Sequence, residues 1–466
     1  MKYASNQRFN PSTSGRGTLS KITIVSWLVV AEVSFAQDPT QRIDQILLEA
    51  GKSQGLEPAA LCSDEQFARR AYLDLRGRIP TAIELQQFLA NPDRQRLIDE
   101  LLASDEFPTH WSNLWTTQWY GYTNEDEVGR AEFQQWLEES LRQQRSYERI
   151  VHEIVTASGE SAFHGPVNFY IRHNEQPVVK VTRSFLGIRL DCARCHDHPF
   201  DRWTEEDFQK MDRFFSGLQF NDVSRGNTRL TDAVMQAEPA ELPRFLSGAV
   251  PKTTQWRSEF AMFLTKSRPF ARNFANRIWY HLMGRGVVHP VDDFSRDNPA
   301  SHPQLLEYLT DESRNSNFDI KNMIRLICRS EAYQRVSKVK KDAAVMQQLF
   351  LARTIKPLTP GQWYSSFCVA TQKAPNPNEE REFVRQYLSD AIEGDFSATW
   401  EYKETLQGLM SALLDKSSPP PGNIEELFIS ILNRRPIPEE LKFFQGSSSR
   451  EISYVLLHSN EFSVNH

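Results

Sequence analysis

"YLDLRGRIPTAIELQQFL", residues 72–89, joins two helical patterns through a short turn that ends in proline. Just upstream, Phe67, Ala71 and Leu75 follow the four-residue spacing that lines one face of a helix. Pro80 cannot continue that helix, but proline is well suited to the start of the next one. The stretch therefore predicts a helix, a tight turn and a second helix.

The same pattern returns near the other end of the chain. "FISILNRRPIPEELKFFQ", residues 428–445, aligns with the first stretch without a gap, and Arg, Pro, Glu-Leu and Phe coincide. Downstream, "LLASDEF" at 101–107 matches "LLHSNEF" at 456–462, and "LICRSEAY" at 326–333 is a looser third copy. Because the shared positions are mostly apolar or helix-capping, we interpret the repeats as packing units without a catalytic role.

Helical periodicity continues through most of the sequence, and long alternating stretches are rare. We therefore predict an all-α fold of two helical domains with internal helix-turn-helix repeats and few or no strands. The segment 219–255 contains several prolines and glycines and is predicted to be a linker between domains at 40–218 and 256–466. A chain of 466 residues that is 39% hydrophobic and 24% charged is typical of a soluble globular protein of two or three domains.

The N-terminus has the layout of a secretory signal peptide. Basic residues precede an apolar run at 22–31, and Ser-Phe-Ala ends at Ala36, so residues 1–36 are predicted to be removed. The apolar run is too short to span a bilayer, which needs about 20 apolar residues. We therefore expect no transmembrane segment after removal of the signal peptide, and a periplasmic or secreted protein.

Removal of residues 1–36 takes away four basic residues and one acidic residue, which changes the net charge from −6 to −9. This balance argues against a nucleic-acid partner, which would require a basic surface. The isolated cysteines Cys62, Cys328 and Cys368 are each interpreted as small buried apolar residues. The alternative is a disulfide between Cys62 and one of the other two, which an oxidising compartment would allow.

The most specific functional pattern is "DCARCHDHPFDRW", residues 191–203. Cys-x-x-Cys-His is the signature of covalent c-type haem attachment. On a helical turn the positions i, i+3 and i+4 share one face, so Cys192 and Cys195 would bind the haem vinyl groups and His196 would bind the iron. The sequence thus predicts a haem c site and a redox or electron-transfer role with a redox partner protein. Haem attachment takes place outside the cytoplasm, which agrees with the signal peptide.

The same segment allows other interpretations. Cys192, Cys195 and His198, with Asp201 nearby, could instead hold zinc or another divalent metal in a hydrolytic site, or the two thiols could cycle as a dithiol. His198 and Asp201 could also simply order the turn after the haem motif. A further alternative is a non-catalytic envelope protein that binds a partner or a polysaccharide. No phosphate-binding loop, serine-hydrolase elbow or His-Glu-x-x-His motif assigns the chain to an enzyme class.

A second iron ligand is not singled out by spacing. Met211 and Met235 are candidates downstream of the motif. Met211, however, lies in an apolar stripe with three phenylalanines behind a capping box of Thr204 and Asp207, so we interpret it as a core residue.

The second half offers a weaker group of candidates. Arg277 and His281 stand four residues apart on an aromatic-rich helix, and Asp292 and Asp293 follow. One interpretation is a buried ion pair between Arg277 and an aspartate. The other is a binding or acid/base site made from His281, Asp292 and Asp293.

Longer motifs resemble a known pair of domain families. "RRAYLDLRGRIPTAIELQQFL", "RLIDELLASDEF" and "FLGIRLDCARCHDHPFDRWTEEDF" resemble a planctomycete domain of unknown function that is associated with cytochrome c domains. "RPFARNFANRIWYHLMGRGVVHPVDDFSRDNPASHPQLLEYL" resembles its C-terminal partner domain, also of unknown function. The resemblance covers residues 40–216 and 256–445. It implies an exported, mostly helical two-domain protein with a cytochrome-like character.

Overall fold

A computed structural model describes residues 38–121, 129–199, 201–235, 238, 241–387, 413 and 421–466. The predicted signal peptide lies outside these residues. Asp38–His466 form one compact unit. Within the described part of the chain, no helix has the length and apolar character needed to cross a membrane.

The first half of the chain folds mainly into α-helices. These are α1 (Pro39–Ser53), α2 (Asp64–Arg76), α3 (Ala82–Ala90), α4 (Arg94–Ala103), α5 (Glu106–Trp119), α6 (Arg130–Arg142), α7 (Tyr147–Val155), α8 (Val167–Arg172), α9 (Pro177–Val181) and α10 (Glu205–Asp212). A π-helix at Thr182–Leu186 and a 3-10 helix at Asp191–Arg194 lie between α9 and α10, and a second 3-10 helix at Arg213–Phe215 follows α10.

The second half is also helical. Its helices are α11 (Trp256–Lys266), α12 (Arg268–Met283), α13 (Pro303–Asn315), α14 (Ile320–Arg329), α15 (Glu331–Gln334), α16 (Ala343–Gln348), α17 (Pro360–Ala370), α18 (Pro377–Tyr387), α19 (Ile424–Leu432), α20 (Pro438–Phe443) and α21 (Ser449–Leu457). The predicted all-α fold with few strands is confirmed.

Short strands complete the described structure. β1 (Gly159–Glu160), β2 (Leu218–Ser224) and β3 (Asn227–Asp232) form an antiparallel sheet in the order β1-β3-β2, and β4 (Lys356–Pro357) pairs with β5 (Val464–Asn465).

The segment predicted to be a linker is ordered where it begins. β2 and β3 form a hairpin whose turn contains Gly226, at φ 75°, a backbone conformation that glycine adopts without strain. Arg257, at the start of α11, donates to the carboxylate of Asp232 at the end of β3, with an Nε–Oδ1 distance of 2.9 Å. The hairpin is therefore attached on one side to β1 and on the other to α11.

The apolar core is continuous across this segment. Trp111, Trp115 and Trp119 succeed one another at every fourth position of α5 and are almost completely buried. The ring of Tyr147 lies 5.6 Å from that of Trp115 and 4.5 Å from that of Phe274 in α12. The two halves of the sequence thus bury their aromatic residues against each other.

The internal repeat is visible in the side-chain contacts. Arg78 binds the carboxylates of Glu84 and Glu106 at 2.8 and 2.6 Å. Arg434, its counterpart, binds Glu440 and Glu461 at 2.8 and 2.6 Å. The looser third copy shares the end of the helix with the other two. Ser330 donates to the carbonyl three residues earlier, as the equivalent serines of the other two copies do. The repeat therefore describes packing, as its composition indicated.

Candidate functional site

The Cys-x-x-Cys-His segment sits on an irregular turn. The 3-10 helix Asp191–Arg194 carries Cys192, and Cys195 follows directly after its end. Leu190 and Ala193 are completely buried and anchor the turn, whereas both cysteines and His196 are exposed. The expected α-helical turn is absent from this described segment. A 3-10 helix has three residues per turn, so this geometry still brings positions i and i+3 onto one side.

The ring of His196 is oriented by the main chain. Its Nδ1 lies 2.8 Å from the carbonyl oxygen of Asp197. A carbonyl oxygen can only accept a hydrogen bond, so Nδ1 is the donor, and in the neutral imidazole the lone pair is therefore on Nε2. This is the tautomer that an imidazole needs to bind a metal ion through Nε2.

The described residues of the downstream half, 197–199 and 201–203, lie in a turn in front of α10. The backbone N–H of His198 donates to the carbonyl of Trp203 at 2.8 Å, and the side chain of Asp201 accepts from the N–H of Arg202 at 2.7 Å. Asp197 accepts from the N–H of Glu205, in the first turn of α10, at 3.0 Å. These hydrogen bonds order the segment through its own main chain and side chains.

The described Cys, His, Asp and Glu side chains do not form a set of metal ligands. Among the described residues, no three or more His, Cys, Asp or Glu side chains lie close enough together to hold a metal ion. The bare-metal alternative with Cys192, Cys195, His198 and Asp201 therefore receives no support from the described geometry.

The interpretation of Met211 as a core residue is confirmed. Its side chain is completely buried, and the predicted capping box of Thr204 and Asp207 starts α10. Met235 is half-buried against the same core. The remaining cysteines, Cys62, Cys328 and Cys368, are buried as predicted, and all five cysteines are free.

The chain just before the motif is held by residues from the second half of the sequence. Asp292 accepts from Arg183 at 2.5 Å and from Arg189 at 2.7 Å. Burial raises the pKa of Asp292, but the hydrogen bonds from Arg189 and Arg183 outweigh this effect and bring it to about 2. Asp293 lies farther away, with its carboxylate 3.8 Å from Arg189. Asp292 is therefore ionised at neutral pH and bound to two guanidinium groups.

Arg277 also contacts this segment, in a different way from the one predicted. Its Nε donates to Asn273 at 3.0 Å, and its Nη2 donates to the carbonyl of Arg183 at 2.9 Å. The guanidinium groups that bind Asp292 are those of Arg183 and Arg189, so the predicted ion pair with the aspartate is made by these arginines. A charged carboxylate at a half-buried position needs nearby donors, and the preceding turn brings these two arginines closest.

His281 belongs to a different environment. Its Nε2 lies 3.4 Å from Gln118 Oε1, and its ring packs against Trp111 at 5.8 Å. Burial, with Arg277 and Lys356 nearby, lowers its pKa to about 3, so the imidazole is neutral. In the described part of the chain, no hydrogen bond or ion pair joins His281 to Asp292 or Asp293, so the predicted acid/base group is not assembled.

Comparison with protein families assigns both halves of the chain. Residues 42–220 match PSCyt2, described as a protein of unknown function (DUF1549), and residues 256–405 match PSD1, described as a protein of unknown function (DUF1553). The chain thus pairs a PSCyt2 domain with a PSD1 domain. Searches of curated proteins and of solved structures find no match.

The Cys-x-x-Cys-His motif thus lies in the PSCyt2 domain, and Asp292 and Arg277 of the PSD1 domain bind the chain that precedes it. Arg183 and Arg189 were not among the residues predicted from the sequence. Two arginines just before the motif and two adjacent aspartates in "VDDF" were an available signal. The charges alone, however, do not predict that Asp292 binds arginines that lie 103 and 109 positions away in the sequence.

Proposed function

We propose that this chain is an exported c-type haem protein that transfers electrons in the cell envelope. The observation that carries the proposal is the state of the motif: two free, exposed thiols three residues apart, followed by an exposed imidazole whose Nε2 is available. Covalent attachment requires reduced and accessible thiols, and axial ligation requires this histidine tautomer.

The residues of the motif fit this cofactor. Cys192 and Cys195 would hold haem c through thioether bonds, and His196 would be the proximal ligand. The bound haem supplies a one-electron redox centre. The surface position of all three side chains would bring the centre within reach of a redox partner protein, which we propose as the partner.

The chain's own residues provide the order around the motif. Leu190 and Ala193 hold the turn against the core, and Asp197 fixes both the His196 ring and the start of α10. Ordering of a ligand by a second layer of hydrogen bonds raises its basicity and fixes its orientation. The immediate surroundings of the motif thus support a proximal histidine.

The proposal is tested by producing the full chain, with its signal sequence, together with the cytochrome c maturation system. We expect a Soret band, a pyridine haemochrome spectrum and an intact mass increased by one haem. A variant with Cys192→Ala and Cys195→Ala should lose all three signals. The matched control Cys62→Ala removes a buried thiol outside the motif and should keep them.

An unmodified mass without a Soret band would overturn the haem proposal. Stoichiometric zinc in that case would support the bare-metal alternative, and neither cofactor would leave the alternative of a non-catalytic envelope protein. The same mass measurement tests the proposed periplasmic or secreted location, because the exported chain should begin at Gln37.

A further inference from the structure

The PSD1 domain contacts one short piece of the PSCyt2 domain repeatedly. This piece, residues 183–189, ends three residues before Cys192, and we call it the lead-in segment. Its side chains Arg183 and Arg189 are bound by Asp292. The contacts therefore fall directly upstream of the thiols and the imidazole of the motif.

The backbone of the lead-in segment is held as well. Asn273 donates to the carbonyl of Ser184 at 2.8 Å, and Arg277 donates to the carbonyl of Arg183 at 2.9 Å. The N–H of Phe294 donates to the carbonyl of Gly187 at 2.9 Å. Asn273 is completely buried and Arg277 is 6% exposed, so these bonds are shielded from water.

The conformation that these bonds hold is an unusual one. The lead-in segment begins in the π-helix, a rare form that occurs often at functional sites, and Gly187 caps the end of this helix with φ 68°. A Cβ atom at position 187 would lie 2.5 Å from the Phe294 ring. The glycine therefore permits both the backbone turn and the close approach of Phe294.

We propose that the PSD1 domain is the positioning half of the Cys-x-x-Cys-His site, with Asp292 as its principal positioning residue. The PSD1 domain fixes the lead-in segment, which continues directly into the turn that bears the thiols. Leu190 and Ala193 are buried in the core, so the position of this turn depends on that of the lead-in segment. The two families thus form one functional unit. The inference rests on the proposed function only for the chemistry performed at the thiols, because the positioning itself does not require haem.

The test uses the full chain without haem and the variant Asp292→Asn. Asparagine keeps one acceptor oxygen but replaces the other by an NH2 group and removes the negative charge, so one of the two arginines loses its acceptor and both lose their counter-charge. The segment should therefore loosen locally. We expect faster hydrogen-deuterium exchange in peptides covering 183–196, by about threefold or more, with unchanged exchange in the other helices.

A second readout reports on thiol geometry directly. Equilibration with glutathione converts the thiols of Cys192 and Cys195 to a disulfide as oxidised glutathione is reduced to two thiols, and the equilibrium constant depends on how the two sulfurs are held. In Asp292→Asn we expect this constant to change by about threefold or more, and Asp292→Glu should restore part of the change.

The matched control is Asp99→Asn. Asp99 also binds two arginines, Arg325 at 2.8 Å and Arg329 at 2.7 Å, but far along the chain from the motif. If Asp99→Asn changes the glutathione equilibrium as much as Asp292→Asn does, or if Asp292→Asn changes neither exchange nor equilibrium, the positioning role is wrong. Either result is independent of whether haem binds, so it is distinguishable from failure of the proposed function.

Discussion

At the residue scale, the buried carboxylate of Asp74 shows how this protein compensates a charge that is removed from water. Asp74 in α2 is the clearest case, since its side chain is only 1% exposed. One oxygen accepts from Lys356 at 2.5 Å and from Asn465 at 2.8 Å, and the other accepts from Tyr333 at 2.8 Å and from Arg353 at 3.3 Å. A single residue of the PSCyt2 domain thus joins β4, β5, α15 and the chain after α16.

Substitution of Asp74 by Asn should destabilise the whole chain. It would leave Arg353, which is completely buried, and Lys356 without their counter-charge, and removal of one partner of a buried ion pair costs about 3–5 kcal/mol. Urea unfolding followed by circular dichroism measures this loss in the free energy of unfolding. Asp311→Asn is the control, because Asp311 is 58% exposed and 3.5 Å from Arg268, and it should cost no more than about 0.5 kcal/mol. Equal losses in both variants would contradict the role given to Asp74.

At the scale of helices and turns, one arginine in each of the first and last copies of the repeat forms ion pairs with two glutamates. In the first copy, Arg78 follows α2 and binds Glu84 in α3 and Glu106 in α5. In the last copy, Arg434 follows α19 and binds Glu440 in α20 and Glu461 after α21. The alignment of the two stretches predicted that the arginines are equivalent. The contact with the second glutamate was not predicted, because this glutamate follows the third helix of each copy and its position depends on how that helix packs.

Arg78→Gln and Arg434→Gln should therefore have similar effects. Each removes hydrogen bonds to two half-buried carboxylates, and we expect each to lower the free energy of unfolding by about 2 kcal/mol. Arg96→Gln provides the comparison, since the Arg96–Glu100 pair is exposed and 3.5 Å long and should contribute only about 0.3 kcal/mol. Denaturant unfolding of the three variants measures the difference, and an effect of Arg96→Gln as large as the other two would refute the interpretation.

Several partly or fully buried histidines of the molecule are held in the neutral state. Burial lowers the pKa of His281 to about 3, and the nearby cations Arg277 and Lys356 add to this effect. Burial also lowers the pKa of His110 to about 4, although the charge of Asp74 partly offsets it. His173 and His302 have pKa values of about 3 and about 4, again through burial first. In the unfolded chain these groups return to a pKa of about 6.5.

Acidification should therefore destabilise the fold before most carboxylates titrate. Between pH 6.5 and about 4 the unfolded state binds protons that the folded state does not, so the free energy of unfolding falls as the pH falls, by up to about 1.4 kcal/mol per pH unit for each histidine. Calorimetry at pH 7, 6 and 5 should show a decreasing Tm. His281→Asn should reduce the slope, while a substitution of the exposed His152 should not. An unchanged Tm across this range would contradict the neutral buried state.

The sequence by itself determined the elements and the motif. Helix spacing, proline positions and capping residues act over a few neighbouring residues, so the helices, the repeats and the Cys-x-x-Cys-His signature could be read directly from the chain. The buried state of Cys62, Cys328 and Cys368 also followed from composition and was confirmed.

Only the tertiary structure decided which charges meet and which surfaces stay open. Arg183 and Asp292 are 109 residues apart, and many aspartates could have satisfied that arginine equally well on charge alone. The exposure of Cys192 and the 3-10 form of its turn are likewise tertiary features, since the buried Leu190 and Ala193 hold that turn against the core. Helices and motifs are set by interactions between neighbours in sequence, whereas the pairing of buried charges is set by the packing of the whole chain, which local patterns do not contain.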